Sequence, residues 1–175
     1  MKAALIIMMF GSAAASPAEA TPVRVSAADP GGWRDLRWGM TLAEATAAIA
    51  SMQVRCGTLA PKHNSEREQN FLAICDEPLG SARISTLKLT FYRHRLWTIG
   101  LDVGLDPAVT QQVSSVLAQK YGRPTLRQMR KVWTAGNTRI HFGPGWIEYF
   151  DIAADKQYWA EIEAEKRTPI PASNL

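Results

Sequence analysis

Cysteine is scarce in this chain of 175 residues: there are two, Cys56 and Cys75. Their spacing is far from Cys-x-x-Cys, so no redox motif of that kind is present. Histidine is scarce too, with three copies, and no ligand pair around the nearest one, His63, has zinc-finger spacing. There is no Gly-x-Ser-x-Gly segment to form a nucleophile elbow. No low-complexity tract and no cofactor fingerprint occurs. The apolar run Ala3 to Phe10 is only eight residues long, too short to cross a bilayer of about 30 Å as a helix. These absences point away from an enzyme, a metal site, a cofactor and a membrane span.

What the N-terminus does contain is a secretory pattern. Lys2 supplies a charged start, Ala3 to Phe10 the apolar stretch, and Ala18-Glu19-Ala20 a small-x-small cleavage site. The expected arrangement is a signal peptide over 1–20 cut after Ala20, a loose Pro/Ala/Gly-rich segment over 21–32, one domain over 33–167 and a frayed tail over 168–175. No cysteine lies near the cleavage site, so no lipid anchor is available. A periplasmic or secreted location follows. Export implies an oxidising compartment, and the expectation is a structural disulfide Cys56–Cys75 holding a flexible, polar excursion. Such a loop of about 20 residues would contribute roughly 3 kcal/mol.

The net charge is +4, and it is uneven. From Arg83 to Arg139 there are ten basic residues, opposed by Asp102 and Asp106 alone. A positive middle attracts an anionic envelope surface or an acidic protein. The plainer and preferred reading is a solvated face neutralised in part by the acidic C-terminal stretch. Nucleic acid is set aside as a partner of an exported chain.

The patterning predicts an α+β domain. Thr41-Leu42-Ala43-Glu44 reads as a capping box, with Gly39 allowing a sharp entry and Met40 packing as a staple. A helix is expected over 42–52 with Leu42, Ala45, Ile49 and Met52 buried. Segments 85–92 and 96–103 alternate with period two and form a hairpin about Arg93-His94-Arg95. In it Leu87, Leu89, Phe91, Trp97, Ile99, Leu101 and Val103 face inward, and the other face is wet. Asp106 caps and Pro107 starts a second helix, with Val109, Val113, Val116, Leu117 and Tyr121 inward; Gly122 and Pro124 end it. Segments 129–135, 138–142 and 146–152 read as strands, and 154–167 as a helix with Tyr158, Trp159 and Ile162 inward. The element order suggests a tandem α-β-β-β repeat, an antiparallel sheet with helices packed on one face.

The Trp38-Gly39-Met40-Thr41 cluster followed by Glu44 resembles the W-G-M-[ST]-x-x-E helix entry of small exported bacterial domains. These are the outer-membrane-assembly lipoproteins of the SmpA/OmlA kind and the β-lactamase-inhibitor-protein-like domains. Tyr121-Gly122-Arg123-Pro124 is similar to their Gly-x-Pro helix exit. The resemblance implies a small antiparallel sheet with one or two helices that binds other proteins and catalyses nothing. This chain departs from the pattern in lacking the lipid-modified cysteine, in placing Ala45 after the glutamate, and in closing the second helix, not the first, with Gly-x-Pro.

Candidate partner-binding residues follow. If Val132 is buried, strand alternation exposes Trp133 beside Arg130 and Lys131 as an anchor; a second covered face would instead bury it. Arg93 and Arg95 flank the hairpin turn, and His141 points away from the core if Ile140 and Phe142 point in. Carboxylate pairs Asp76-Glu77 and Glu148 with Asp151 would serve a small hydrolase only if they converge in space. The expected function is a non-catalytic module binding another envelope or secreted protein. The alternatives are an assembly factor on the envelope surface and a small hydrolase.

Overall fold

The computed structural model describes residues 29–79 and 82–167. The expected signal peptide, most of the segment 21–32 and the tail 168–175 lie outside the described residues. The chain starts with a short hairpin, β1 (Gly32–Trp33) and β2 (Leu36–Arg37). The Trp-Gly-Met-Thr cluster then docks the chain before turning it into a helix. Gly39 donates its N–H to the Leu96 carbonyl at 2.9 Å, and the Met40 carbonyl accepts from the Leu96 N–H at 2.8 Å. Gly39 has a φ of +80°, which a side chain would oppose. The capping box forms as expected: Thr41 Oγ1 accepts from the Glu44 N–H at 3.3 Å, and Glu44 Oε2 accepts from the Thr41 N–H at 2.7 Å. It opens α1 (Leu42–Ser51), which buries Ala45 and Ile49.

Cys56 and Cys75 form the disulfide. The segment between them is no flexible excursion, however. It folds into a hairpin, β3 (Ala60–Asn64) and β4 (Glu68–Leu79). β4 is followed by β5 (Ala82–Tyr92) and β6 (Arg95–Asp102), whose two-residue turn holds Arg93 and His94 at φ of +48° and +62°. Next, α2 (Pro107–Tyr121) is capped by Asp106, which accepts from the Ala108 N–H at 2.8 Å. Four strands follow: β7 (Thr125–Arg127), β8 (Arg130–Ala135), β9 (Thr138–Gly143) and β10 (Trp146–Asp151). The last element is α3 (Ile152–Arg167).

Each half is therefore a helix followed by four strands in a meander, one strand more than the sequence suggested. The strand order is β3-β4-β5-β6-β10-β9-β8-β7, antiparallel throughout, with the halves joined along β6 and β10. The inner face carries the main core: Phe71, Leu87, Leu89, Phe91, Ile99, Leu101, Ile140, Phe142, Ile147 and Tyr149. On this face α1 meets β6 and α2 meets β8.

The outer face is not uniformly wet. An irregularity in the β5–β6 register pairs Thr90 with Thr98 but Phe91 with Leu96. The extra residue, Trp97, turns away from the inner face. It stacks instead with Tyr92 and with Tyr158 of α3, at 6.1 and 4.9 Å between ring centres. α3 thus seals one end of the outer face, helped by Arg139–Asp155 and Arg93–Glu161 ion pairs at 3.0 Å. Trp159, expected inward on α3, is exposed.

A clasp ties the two halves together. Trp38 Nε1 donates to Thr138 Oγ1 at 2.9 Å, and Thr138 Oγ1 donates to Asp29 Oδ1 at 2.7 Å. Asp29 also accepts from the backbone N–H groups of Gly31 and Asn137. Burial works against its charge, but these three hydrogen bonds hold its carboxyl below the usual range.

Candidate functional site

The half of the outer face that α3 leaves uncovered forms an open groove of about 660 Å³. Its floor follows from strand register. Leu72, Lys88, Gly100 and Glu148 lie in one row across β4, β5, β6 and β10. Ile74, Thr86, Asp102 and Trp146 lie in the next. Gly100 removes a side chain from the middle of the first row, which deepens the groove between Lys88 and Glu148. Leu105, Pro144 and Arg130 complete the walls. Ile74, at the end of its row, is 75% exposed.

Trp146 lies flat against β9. A Cβ on Gly143 would come within 2.5 Å of its indole, so glycine is what lets the ring settle there. The Arg130 guanidinium sits 5.2 Å from the indole centre, a cation–π arrangement. The result is an aromatic surface held by its own neighbours and flanked by charge.

Glu148 is half-buried in this groove. Burial pushes its carboxyl up, while Lys88 and Arg130 pull it down; burial prevails. His141 is its cross-strand neighbour on β9. Burial, then Arg139 and Arg130, lowers the imidazole, whose Nδ1 has no hydrogen-bond partner among the described residues. A carboxylate held in this way opposes folding at neutral pH. Because its folded value is raised, the penalty is absent below the ordinary glutamate range and grows as pH rises through it. Glu148→Gln should therefore raise the melting temperature at pH 7, and the gain should vanish near pH 4. Paired melts of the two proteins across that range check this.

Of the six residues singled out as partner-binding, only Arg130 lines the groove. Trp133 is 3% exposed on the inner face, and its Nε1 donates to the Gly122 carbonyl at 2.8 Å. Val132 is buried on the opposite face, so both sides of β8 are covered here and the alternation exposes neither residue. Lys131 also points inward, donating to Ser114 Oγ at 2.6 Å. Arg93 is engaged by Glu161, and Arg95 donates to the Gly39 carbonyl at 3.1 Å. His141 does point to the outer face, packed on Phe150 at 4.8 Å between ring centres.

Neither carboxylate pair converges. Glu77 pairs with Arg34 at 2.9 Å on the inner face, while Asp76 pairs with Arg83 on the outer side. Asp151 caps α3 by accepting from the Ala153 N–H at 2.9 Å, away from Glu148. The sequence reading missed Lys88, Asp102 and Trp146 as a set. The available signal was parity: all three alternate with the apolar residues of their strands.

Among the described residues, no three His, Cys, Asp or Glu side chains are grouped to hold a metal ion, and no helix is long and apolar enough to cross a membrane. No curated protein and no solved structure matches the chain significantly. A family model does: the TP0088 domain matches residues 31–161, which span both meanders and most of α3, and the chain belongs to the TP0088 domain family.

Proposed function

We propose that this protein is an exported, non-catalytic binding module that receives another envelope or secreted protein on the open half of its outer sheet face. One observation carries the reading: α3 covers one end of that face and leaves Trp146, Leu72, Leu105 and the exposed Ile74 uncovered beside Lys88 and Arg130. Aromatic and aliphatic side chains interspersed with the charged groups of Lys88, Asp102 and Glu148 offer both an apolar anchor and polar contacts to a protein partner. The secretory pattern of residues 1–20 and the Cys56–Cys75 disulfide support export. The resemblance of the helix entry to small exported binding domains points the same way.

A basic-surface role on the envelope has less support. Arg93 and Arg139 are each paired with an acidic residue of α3, so part of the positive middle is already neutralised. A hydrolase reading keeps one specific observation: Asp102 and Glu148 line the same groove in different environments. Two carboxylates facing one groove are the groups a hydrolase would use as acid and base.

Immobilised protein exposed to envelope extract at low and high salt separates these readings. The expected result is one protein retained at high salt, where exposed charge pairs are screened, and lost with Trp146→Ala or Ile74→Asp. Retention of lipid or glycan at low salt alone supports the basic-surface role and overturns the proposal. Retention of nothing at either salt overturns both and directs attention to Asp102 and Glu148.

A further inference from the structure

The inner face holds a second cleft, and nothing in the outer-face reading uses it. Helical periodicity places Val116 on the buried side of α2, yet it is 55% exposed. The reason is geometric. α1 covers the first half of the sheet and α2 the second, and the two leave a gap over β10, one of the two middle strands, closed at one side by the β1–β2 hairpin. The cleft measures about 500 Å³, within the range of about 300–1,000 Å³ typical of small-ligand sites. Trp33, Val116 and Leu117 form its walls and Tyr149 part of its floor. Unfilled apolar space in the middle of a fold forfeits dispersion contacts on every wall. An apolar occupant would restore them and cover Val116.

The charges around the cleft select the occupant's head group. Its ionisable lining consists of Arg34 and Lys120 together with two tyrosines, and no carboxylate lines it. Arg34 is balanced by Glu77. Lys120 has no acidic partner among the described residues and rests 5.2 Å from the Tyr121 ring centre. Tyr149 adds no opposing charge: burial foremost, and Tyr121 beside it, push its phenol up and keep it neutral. We propose that this cleft binds a fatty-acid-like ligand, its hydrocarbon chain lying between Trp33, Val116 and Leu117 and its carboxylate meeting Lys120 at the mouth.

The test is calorimetric titration of monomeric dodecanoate into the purified protein, with dodecanol as the uncharged comparison. The expected result is saturable one-to-one binding of dodecanoate and binding of dodecanol at least tenfold weaker. Lys120→Glu should weaken dodecanoate at least tenfold. Val116→Trp, which fills the cleft from an exposed position, should abolish binding; Val116→Asp replaces it if the larger side chain prevents folding. Trp146→Ala, on the opposite face of the sheet, should leave the affinity unchanged. Absence of saturable binding overturns the proposal. So does wild-type affinity in the Val116 variant, or loss of affinity in Trp146→Ala. Equal binding of dodecanol and dodecanoate, with no effect of Lys120→Glu, overturns the assignment of an anionic ligand.

Discussion

Trp133→Ala should lower the unfolding free energy by about 3–5 kcal/mol, the range for removing a large buried aromatic side chain. The indole packs on the inner face across from Ile140 and donates a hydrogen bond to the carbonyl of Gly122, the residue that ends α2. The truncation removes both the packing and the tie between β8 and that helix end. Trp133→Phe retains most of the volume and loses the hydrogen bond, so about 1 kcal/mol of its cost is attributable to that bond. Urea denaturation of the three proteins measures the series. A fall below 1 kcal/mol for the alanine variant, accompanied by loss of partner retention, would restore Trp133 as a surface anchor.

The second large effect concerns the disulfide. Its cysteines are 19 positions apart, and a closed loop of about 20 residues is worth roughly 3 kcal/mol when the restriction acts on the unfolded chain. The Cys56→Ser, Cys75→Ser double variant should lose about that amount. Cys75 is also buried against the inner core, while Cys56 only packs at its edge. The single variant Cys75→Ser should therefore be at least as unstable as Cys56→Ser. Thermal melts with and without reductant check both statements: reductant should lower the wild type towards the double variant and leave the variants unmoved. An unchanged wild type in reductant, with the bond shown to be broken, would contradict the loop-closure account.

Local chemistry was readable from the chain, and long-range cover was not. The starts of α1 and α2 rest on residues no more than one turn apart, Thr41 with Glu44 and Asp106 with Pro107, so neighbouring residues suffice to place them. The β5 core positions Leu87, Leu89 and Phe91 follow strict alternation. β3 escaped because its residues, Ala60–Asn64, are all exposed and include Pro61, with no apolar period to detect. β4 escaped because Phe71, Leu72, Ala73 and Ile74 run on without alternation: half face the core, and Leu72 and Ile74 face the groove. Trp97 was placed on the wrong side because one extra residue in β6 shifts the parity, and parity is all that a sequence pattern carries. The groove depends on four strands from both halves, so no contiguous segment announces it. Glu148 could be noticed as a carboxylate, but its burial beside Lys88 and Arg130 is a property of the assembled sheet.

The seam between the meanders also has a consequence for how the protein folds. Within each half, every strand pairs with its neighbour in sequence, so both meanders can assemble from local contacts. The β6–β10 pairing and the clasp are different. Trp38 and Thr138 are 100 residues apart, and Asp29 and Thr138 are 109, so their closure carries the large loop entropy and comes late. As the chain emerges from its N-terminus, the first meander stands with β6 as a bare edge until β10 arrives, and a bare edge accepts strands from any chain. A second molecule's β10 fits that edge as well as its own. Two copies can trade their C-terminal halves and keep every seam hydrogen bond, the usual route to a swapped dimer. Refolding yield should accordingly fall with protein concentration, with the lost monomer appearing as dimer in size-exclusion chromatography.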